Sequence, residues 1–402
     1  MTQILMQSWK TNRRILLGIT GGIAAYKIPH LVRLITKAGS SAQVIMTDNA
    51  RNFVAPMTLG TLSGRKVFTD SDFDETIPHI KLAQWAEVLV IAPCTANTLA
   101  KIAHGISDNL LTSTVTAASC PVLVFPAMNE HMYMNAAVQE NIETLKRRGI
   151  FVADPEAGAL ACGVSGKGRM PEPEEIMHEI FRALCPVHDM AGKHVLVTAG
   201  PTHEYLDPVR YISNPSTGKM GVAVARSAWY RGAEVRIIAG PVDVDGYGLN
   251  VQHIVTANEM LEAVRENLAW ADYVVKAAAV GDYRAKYYSD HKIKREGRDT
   301  VTLELVQNPD IAAEAGKLKR EGQVLIGFAA ESDNVAANAR EKLARKNLDY
   351  ILANDVTAEG SGFAADTNTL RVIPRDSRKT EQIFSGLKED AAFDMWSYVL
   401  SA

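Results

Sequence analysis

Arg14-Ile15-Leu16-Leu17-Gly18-Ile19-Thr20-Gly21-Gly22-Ile23-Ala24-Ala25-Tyr26-Lys27 runs from apolar residues through a glycine turn into a helix start. Arg13-Arg14 ahead of Ile15-Leu16-Leu17 imitates a signal peptide, but Gly18, Gly21 and Gly22 break the apolar run and no cleavage-like site follows. The stretch therefore reads as a strand and a turn. Amides at such a turn suit a phosphate held at a helix N-terminus. The glycine spacing is not G-x-G-x-x-G, so a dinucleotide fingerprint is absent. By itself a glycine turn here serves architecture as readily as a ligand.

Working outward, short apolar runs alternate with amphipathic stretches along the whole chain, the pattern of parallel sheets covered by helices. The sequence predicts strands at 14–19, 42–46, 88–92, 121–125 and 149–153, then a helix over 174–184. Residues 185–192 read as a helix stop and connector. The pattern restarts at 194–198 and continues with strands at 235–239, 273–277, 324–328 and 350–353. A two-strand tail at 369–373 and 380–384 precedes a last helix over 387–400. At 402 residues two α/β domains are expected, 1–188 and 189–402, alike in architecture but without a sequence repeat.

Composition narrows the function. Hydrophobic residues make up 47% and charged residues 22%, as in a globular protein. A net charge of −3 gives no general attraction to nucleic acid or anionic membrane, so an anion site must be a local cluster. Cys94, Cys120, Cys162 and Cys185 are widely and irregularly spaced, which speaks against zinc and against a disulfide framework and fits reduced thiols in the cytoplasm. No run is long enough to span a membrane.

Several polar residues of the first half fall beside these strand ends. His79 has a side chain that can act as a base near neutral pH, although a lone histidine is more often a surface or capping group. Asn129 follows Pro126-Ala127-Met128 and would project from a strand's carboxyl end, where open α/β sheets bind ligands. Cys162 stands among Gly158, Gly163, Gly166 and Gly168, a stretch expected to lack regular structure and suited to a movable flap. A thiol there can donate a proton, whereas Cys94 in an apolar strand end reads as buried and inert. Together with Ala92-Pro93-Cys94-Thr95-Ala96-Asn97, Ser107-Asp108-Asn109-Leu110 and Ala161-Cys162-Gly163, these residues resemble the flavin-dependent cysteine decarboxylases.

That resemblance implies a flavodoxin-like (HFCD flavoprotein) domain that binds FMN and decarboxylates 4′-phosphopantothenoylcysteine. It implies FMN near Thr20, Gly21, Thr47, Thr95 and Ser107, a pocket lined by Met128 and Met132, His79 as base, Asn129 on the substrate carboxylate, and Cys162 as proton donor to the enethiol. Thr20 replaces a common serine and keeps its hydroxyl; Cys94 replaces a common alanine. A flavin that accepts and returns electrons makes the carboxylate a feasible leaving group without net redox change.

In the second half, Ser213-Asn214-Pro215-Ser216-Thr217-Gly218-Lys219-Met220-Gly221 invites a P-loop reading and fails it, because Ser213 and Met220 occupy positions that require Gly and Ser or Thr. A small-residue turn entering a helix remains, with Arg210 and Lys219 close in sequence. Lys292-Ile293-Lys294-Arg295 alone would be a solvated loop. Asp282 could hold Mg²⁺, which uses few carboxylates beside phosphates. With Leu206-Asp207-Pro208-Val209-Arg210, Asn308-Pro309-Asp310, Gly327-Phe328-Ala329-Ala330-Glu331 and Ala353-Asn354-Asp355, this half resembles the phosphopantothenate–cysteine ligases. The resemblance implies a Rossmann-like domain using CTP and Mg²⁺. In it Asn214 stabilises the acyl-nucleotide and Lys292 acts on the activated carboxylate, while Arg210 and Ala279 contact phosphopantothenate. Asp282, Lys294, Asn308, Pro309, Asp310, Ile311, Phe328, Lys342 and Lys346 would bind the nucleotide, Asp282 with the metal. His203 stands where arginine is common.

Both halves together resemble the bifunctional enzymes of coenzyme A synthesis. The implied reactants are 4′-phosphopantothenate, cysteine and CTP, and the implied form is a cytoplasmic homo-oligomer with trimeric flavin domains and dimeric ligase domains, up to a dodecamer. The alternatives are a flavin-binding regulatory subunit, which could lose His79 or Cys162, and a nicotinamide dehydrogenase, which the missing fingerprint opposes.

Overall fold

Apolar runs become strands here because both of their faces are covered. A computed structural model describes residues 9–159, 165–294, 300–331, 335–355 and 365–401. The chain divides into two units, Met6–Pro186 and Val187–Ala402. In the first, β1 (Arg14–Ile19), β2 (Ser41–Met46), β3 (Val67–Phe68), β4 (Val88–Cys94), β5 (Val122–Pro126) and β6 (Phe151–Val152) form a parallel sheet in the order β3-β2-β1-β4-β5-β6. Along β1, Ile15, Leu17 and Ile19 enter one core cluster while Leu16 joins Ile45, Leu89 and Ile91 in another. Burial on both faces explains the unbroken hydrophobic spelling.

The helices of this unit are α1 (Ile28–Lys37), α2 (Pro56–Ser63), α3 (Pro78–Trp85), α4 (Ala96–His104), α5 (Leu110–Ala117), α6 (Glu130–Tyr133), α7 (Ala136–Arg147) and α8 (Pro173–Leu184). With the two-residue β3 set aside, the strands run 2-1-3-4-5 by position. Their order reverses between β1 and β4, so the carboxyl ends of those two strands border a ligand-binding crevice.

The glycine-rich stretch departs from expectation. Instead of lacking regular structure, β7 (Glu156–Ala159) and β8 (Ser165–Arg169) pair antiparallel, with Gly158 opposite Gly166. The glycines permit close approach: a Cβ on Gly168 would stand 2.1 Å from the Met128 carbonyl oxygen, and the Met128 N–H donates to Gly168 O at 3.1 Å. Residues 160–164, and Cys162 with them, lie outside the described residues.

The second unit contains β9 (His194–Ala199), β10 (Glu204–Tyr205), β11 (Tyr211–Ile212), β12 (Glu234–Ala239), β13 (Asn250–His253), β14 (Tyr273–Lys276), β15 (Tyr283–Ala285), β16 (Leu305–Gln307), β17 (Val324–Glu331), β18 (Tyr350–Asp355), β19 (Thr367–Pro374) and β20 (Gln382–Leu387). Its helices are α9 (Lys219–Tyr230), α10 (Ala257–Leu268), α11 (Ile311–Leu318), α12 (Val335–Arg345) and α13 (Lys388–Leu400). The main sheet runs β13-β12-β9-β14-β17-β18-β19-β20. Its first six strands are parallel, in positional order 3-2-1-4-5-6, and β19 and β20 extend the edge antiparallel. The order again reverses at a central pair, β9 and β14. Two small hairpins, β10 with β11 and β15 with β16, follow the carboxyl ends of β9 and β14. At Gly221 a Cβ would stand 2.7 Å from Ala199 Cβ, so this glycine lets the start of α9 settle onto the end of β9.

Candidate active sites

In the first unit the crevice is a set of strand ends tied together by hydroxyls. Thr20 follows β1 and is buried; its Oγ1 donates to Pro93 O at 2.7 Å and accepts from the Thr95 N–H at 3.0 Å. The single donor of Thr20 is thereby committed to joining β1 to β4. Thr47 follows β2 and donates its N–H to Ile19 O at 3.0 Å. Thr95 follows β4 and caps α4 by accepting from Thr98 N–H at 3.4 Å. Gly21 stands where a Cβ would meet Asn49 Cβ at 2.5 Å. Thr20, Gly21, Thr47 and Thr95 thus sit at the ends of the three neighbouring strands β2, β1 and β4. Ser107 precedes α5, with its hydroxyl 2.8 Å from that of Thr116.

His79 is the second residue of α3, after Ile77 in a left-handed conformation and Pro78 at the helix start. Its ring meets Phe73 edge-on with centroids 5.2 Å apart, and its Nδ1 is buried without a hydrogen-bond partner among the described residues. A buried imidazole nitrogen left unpaired in a folded protein calls for an incoming donor or acceptor. Asn129 follows β5 and caps α6, accepting from His131 N–H at 2.9 Å. Met128 packs partly buried against the core, and Met132 is half exposed. Cys94 is fully buried, and burial pushes its thiol pKa far up, which makes it inert.

The second unit gathers more. A cavity of about 470 Å³ opens past the carboxyl end of β14, beside β17, β18 and the start of α9. It is lined by Asn214, Ala279, Asp282, Asn308, Pro309, Asp310, Ile311, Phe328, Lys342 and Lys346, which brings most of the residues anticipated for the nucleotide together. Asn308 is buried and donates its amide to Gly281 O at 2.8 Å, which fixes the loop that presents Asp282. Asp310 caps α11 through Ala313 N–H at 3.0 Å and pairs with Lys346 at 3.0 Å. Asn214 directs its amide N–H groups to the carbonyls of Ala279 and Val280 at 3.3 and 3.2 Å, so an acyl oxygen would have to displace those contacts. Among the described residues no three His, Cys, Asp or Glu side chains form a metal cluster. Asp282 alone fits Mg²⁺ only as one ligand beside phosphate oxygens.

Lys292, Lys294 and Arg210 are not among the lining residues. Both lysines are exposed, and their segment is held by Asp207. That buried carboxylate receives Arg210 through Nε at 3.0 Å and NH2 at 2.6 Å, and accepts the Ile293 N–H at 3.0 Å. Arg210 also donates to Ile293 O at 2.5 Å. These hydrogen bonds hold the Asp207 carboxyl well below the usual range, although its burial opposes the shift. His203 stacks on Tyr211 with centroids 3.8 Å apart, and burial lowers its pKa, so it offers no substitute for an arginine's charge.

Two residues escaped sequence reasoning. Asp207 was visible only as part of a motif, and its role as an anchor requires the fold. Lys276 ends β14, is buried, lines the cavity, and has no hydrogen-bond partner for its Nζ among the described residues. A lysine closing an apolar strand, Tyr273-Val274-Val275-Lys276, was the available signal.

Residues 190–402 match the family described as DNA/pantothenate metabolism flavoprotein C-terminal domain, and residues 5–184 match the Flavoprotein family. The chain is 45% identical over 380 residues to the coenzyme A biosynthesis bifunctional protein CoaBC of Bacillus subtilis (strain 168), covering 92% of each chain. It is 41% identical over 373 residues to the protein of that name from Escherichia coli (strain K12), covering 91% of this chain and 92% of the relative. A solved C-terminal domain of a CoaBC protein is 34% identical with a TM-score of 0.44, covering 53% of this chain and 96% of that one. The FMN-dependent cysteine decarboxylase SpaF is 34% identical with a TM-score of 0.38, covering 43% and 98%.

Proposed function

Because the chain belongs to the family of bifunctional coenzyme A biosynthesis proteins, we propose that residues 189–402 ligate 4′-phosphopantothenate to cysteine with CTP and Mg²⁺, and that residues 1–188 decarboxylate the product with FMN. The protein is an enzyme of coenzyme A biosynthesis that performs both steps, ligation and then decarboxylation. The observation that carries the division of labour is the second unit's cavity, where Asn214, Asp282, Asn308, Lys342 and Lys346 converge past the carboxyl end of β14. The two strand orders support a flavodoxin-like first domain and a Rossmann-like second one.

In the ligase, lysines of the cavity neutralise charge as pyrophosphate leaves, and Asp282 holds the metal beside the phosphates. Asn214 trades its carbonyl contacts for the acyl oxygen. Asp207 and Arg210 fix the backbone from which Lys292 reaches the activated carboxylate and Lys294 the nucleotide. In the decarboxylase, Gly21, Thr47 and Thr95 would hold FMN, with Thr20 bracing the strand ends and Ser107 on the rim. Bound flavin supplies reversible oxidation of the cysteinyl thiol. His79 removes a proton through its ring, Asn129 orients the carboxylate between Met128 and Met132, and Cys162 returns a proton to the enethiol.

Exposed apolar residues of the first unit, Ile23, Tyr26, Met57 and Met132 among them, support a homo-oligomer. Mass spectrometry of the products from phosphopantothenate, cysteine and either CTP or ATP tests the whole reading. 4′-Phosphopantetheine formed with CTP is expected. Phosphopantothenoylcysteine that accumulates without loss of CO₂ would refute the assignment of the first unit.

A further inference from the structure

Lys276 has no structural explanation. The residue is 7% exposed, and its Nζ has no hydrogen-bond partner among the described residues. A buried unpaired ammonium costs several kcal/mol, and a residue present only to fill the space would be apolar. Burial pushes its pKa down to about 7; Asp310 opposes the shift and Lys346 adds to it. The amine nevertheless belongs to the cavity wall.

Its surroundings indicate what it meets. The helix start of α11 presents Asp310, while α12 and the residue after it present Lys342 and Lys346. From the other helices come Lys219 at the start of α9 and Lys388 at the start of α13, and the loop after β14 brings Asp282. Among the described residues β17 and β18 add no ionisable side chain to the wall. Five lysines therefore face two aspartates. Asp310 is already paired with Lys346, and Lys219 with Asp366 at 2.6 Å. Such a cavity repels one more cation while empty and welcomes it when a polyanion is present.

We propose that Lys276 is a phosphate-binding residue of the nucleotide cavity that takes up a proton from solvent as the triphosphate enters. The inference rests on the nucleotide reading given above. The step is balanced: the neutral amine gains one proton from water or buffer, and its four-carbon stem swings the resulting ammonium onto a phosphate oxygen. Nucleotide affinity then depends on pH through a group that the reaction itself does not consume.

Titration calorimetry of the full-length protein in two buffers of different ionisation enthalpy tests this, with CTP, tripolyphosphate and cytidine as ligands. At pH 8 the protein should take up about one proton more per bound CTP or tripolyphosphate than Lys276→Met does, and this difference should vanish near pH 6. Cytidine should bring no uptake in either protein. Lys276→Met should bind tripolyphosphate roughly tenfold or more weakly, and Lys276→Arg, permanently charged, should bind it without the extra proton. Equal uptake in the parent protein and Lys276→Met would overturn the proposal, as would CTP binding to the parent with no uptake at pH 8. Failure of every nucleoside triphosphate to bind the parent would overturn the cavity's assignment, and the role of Lys276 with it.

A second readout needs no ligand. The folded pKa lies below that of an unfolded lysine, so the unfolded chain holds more protons between about 7 and roughly 10. Melting temperature should rise with pH across that window in the parent protein. Lys276→Met should melt higher at pH 7 and lose the slope; retention of the slope would count against a buried neutral amine.

Discussion

The β1/β4 crevice and the cavity past β14 lie at strand carboxyl ends in two sheets of closely related strand order, yet they are built from opposite materials. At the first, Thr20, Gly21, Thr47 and Thr95 supply hydroxyls and backbone, and none of the four is ionisable. At the second, lysines and aspartates line the wall. Topology places a site, and the residues just past each strand decide its chemistry. A neutral cradle suits a cofactor that stays through many turnovers. A charge-rich cavity suits a polyanion that enters, reacts and leaves in each one.

The largest effect expected from this contrast is a clean separation of the two activities. Cys162→Ser should lower decarboxylation by roughly 10²-fold or more while ligation is unchanged. Asn214→Asp should remove ligation and spare decarboxylation of supplied phosphopantothenoylcysteine, because it sets a carboxylate where an amide donor faces the acyl oxygen. Each half-reaction is followed separately by mass spectrometry. If either substitution depresses both, the sites are not independent and the comparison fails.

A middle-sized effect probes the neutral cradle. In Gly21→Ala the new Cβ would meet Asn49 Cβ at 2.5 Å and the Asn49 carbonyl carbon at 3.0 Å, forcing apart the loops after β1 and β2. Overpacking of this kind costs about 1–3 kcal/mol. The purified variant should retain less flavin, read from its visible absorbance, and ligation should be untouched. Full flavin occupancy would show that the cofactor does not use this turn.

How much of this was legible in the sequence depended on burial. The span of β1 could be read residue for residue because both faces of that strand are covered and its spelling is continuously apolar. The edge strand β13, Asn250-Val251-Gln252-His253, is mostly exposed and has no such run, and the two-residue strands β10 and β11 offer no period at all. The glycine-rich hairpin was misread because glycine signals permissiveness, whereas Gly166 and Gly168 are there to let β8 approach Glu130 and Met128 closely. The residues proposed for the nucleotide were legible through family resemblance, and most of them line one cavity, but Lys292 and Lys294 are not part of its wall. Lys276 could not be recognised from its own strand, since its burial is completed by helices that come much later in the chain.

The smallest expected effect concerns how the β7–β8 hairpin is fastened to the first unit. Glu175 accepts the Glu172 N–H at 2.7 Å in the capping box of α8 and hydrogen-bonds to Glu156 in the first strand of the hairpin. Burial, with Glu156 and Glu172 nearby, pushes its carboxyl up to about 7. A folded pKa above the unfolded value means that the protonated link is fully present below about 4.3 and is lost as pH rises through the folded value. The first unit should therefore lose stability between about pH 4.3 and pH 7, by about 1 kcal/mol or less because the pair is partly exposed to solvent. Glu175→Gln keeps a neutral hydrogen-bonding group at every pH and should flatten that decline in a melting series. A decline equally steep in the variant would mean that the hairpin is held by Arg169, which pairs with Glu172 and approaches Glu156, and not by a shared proton.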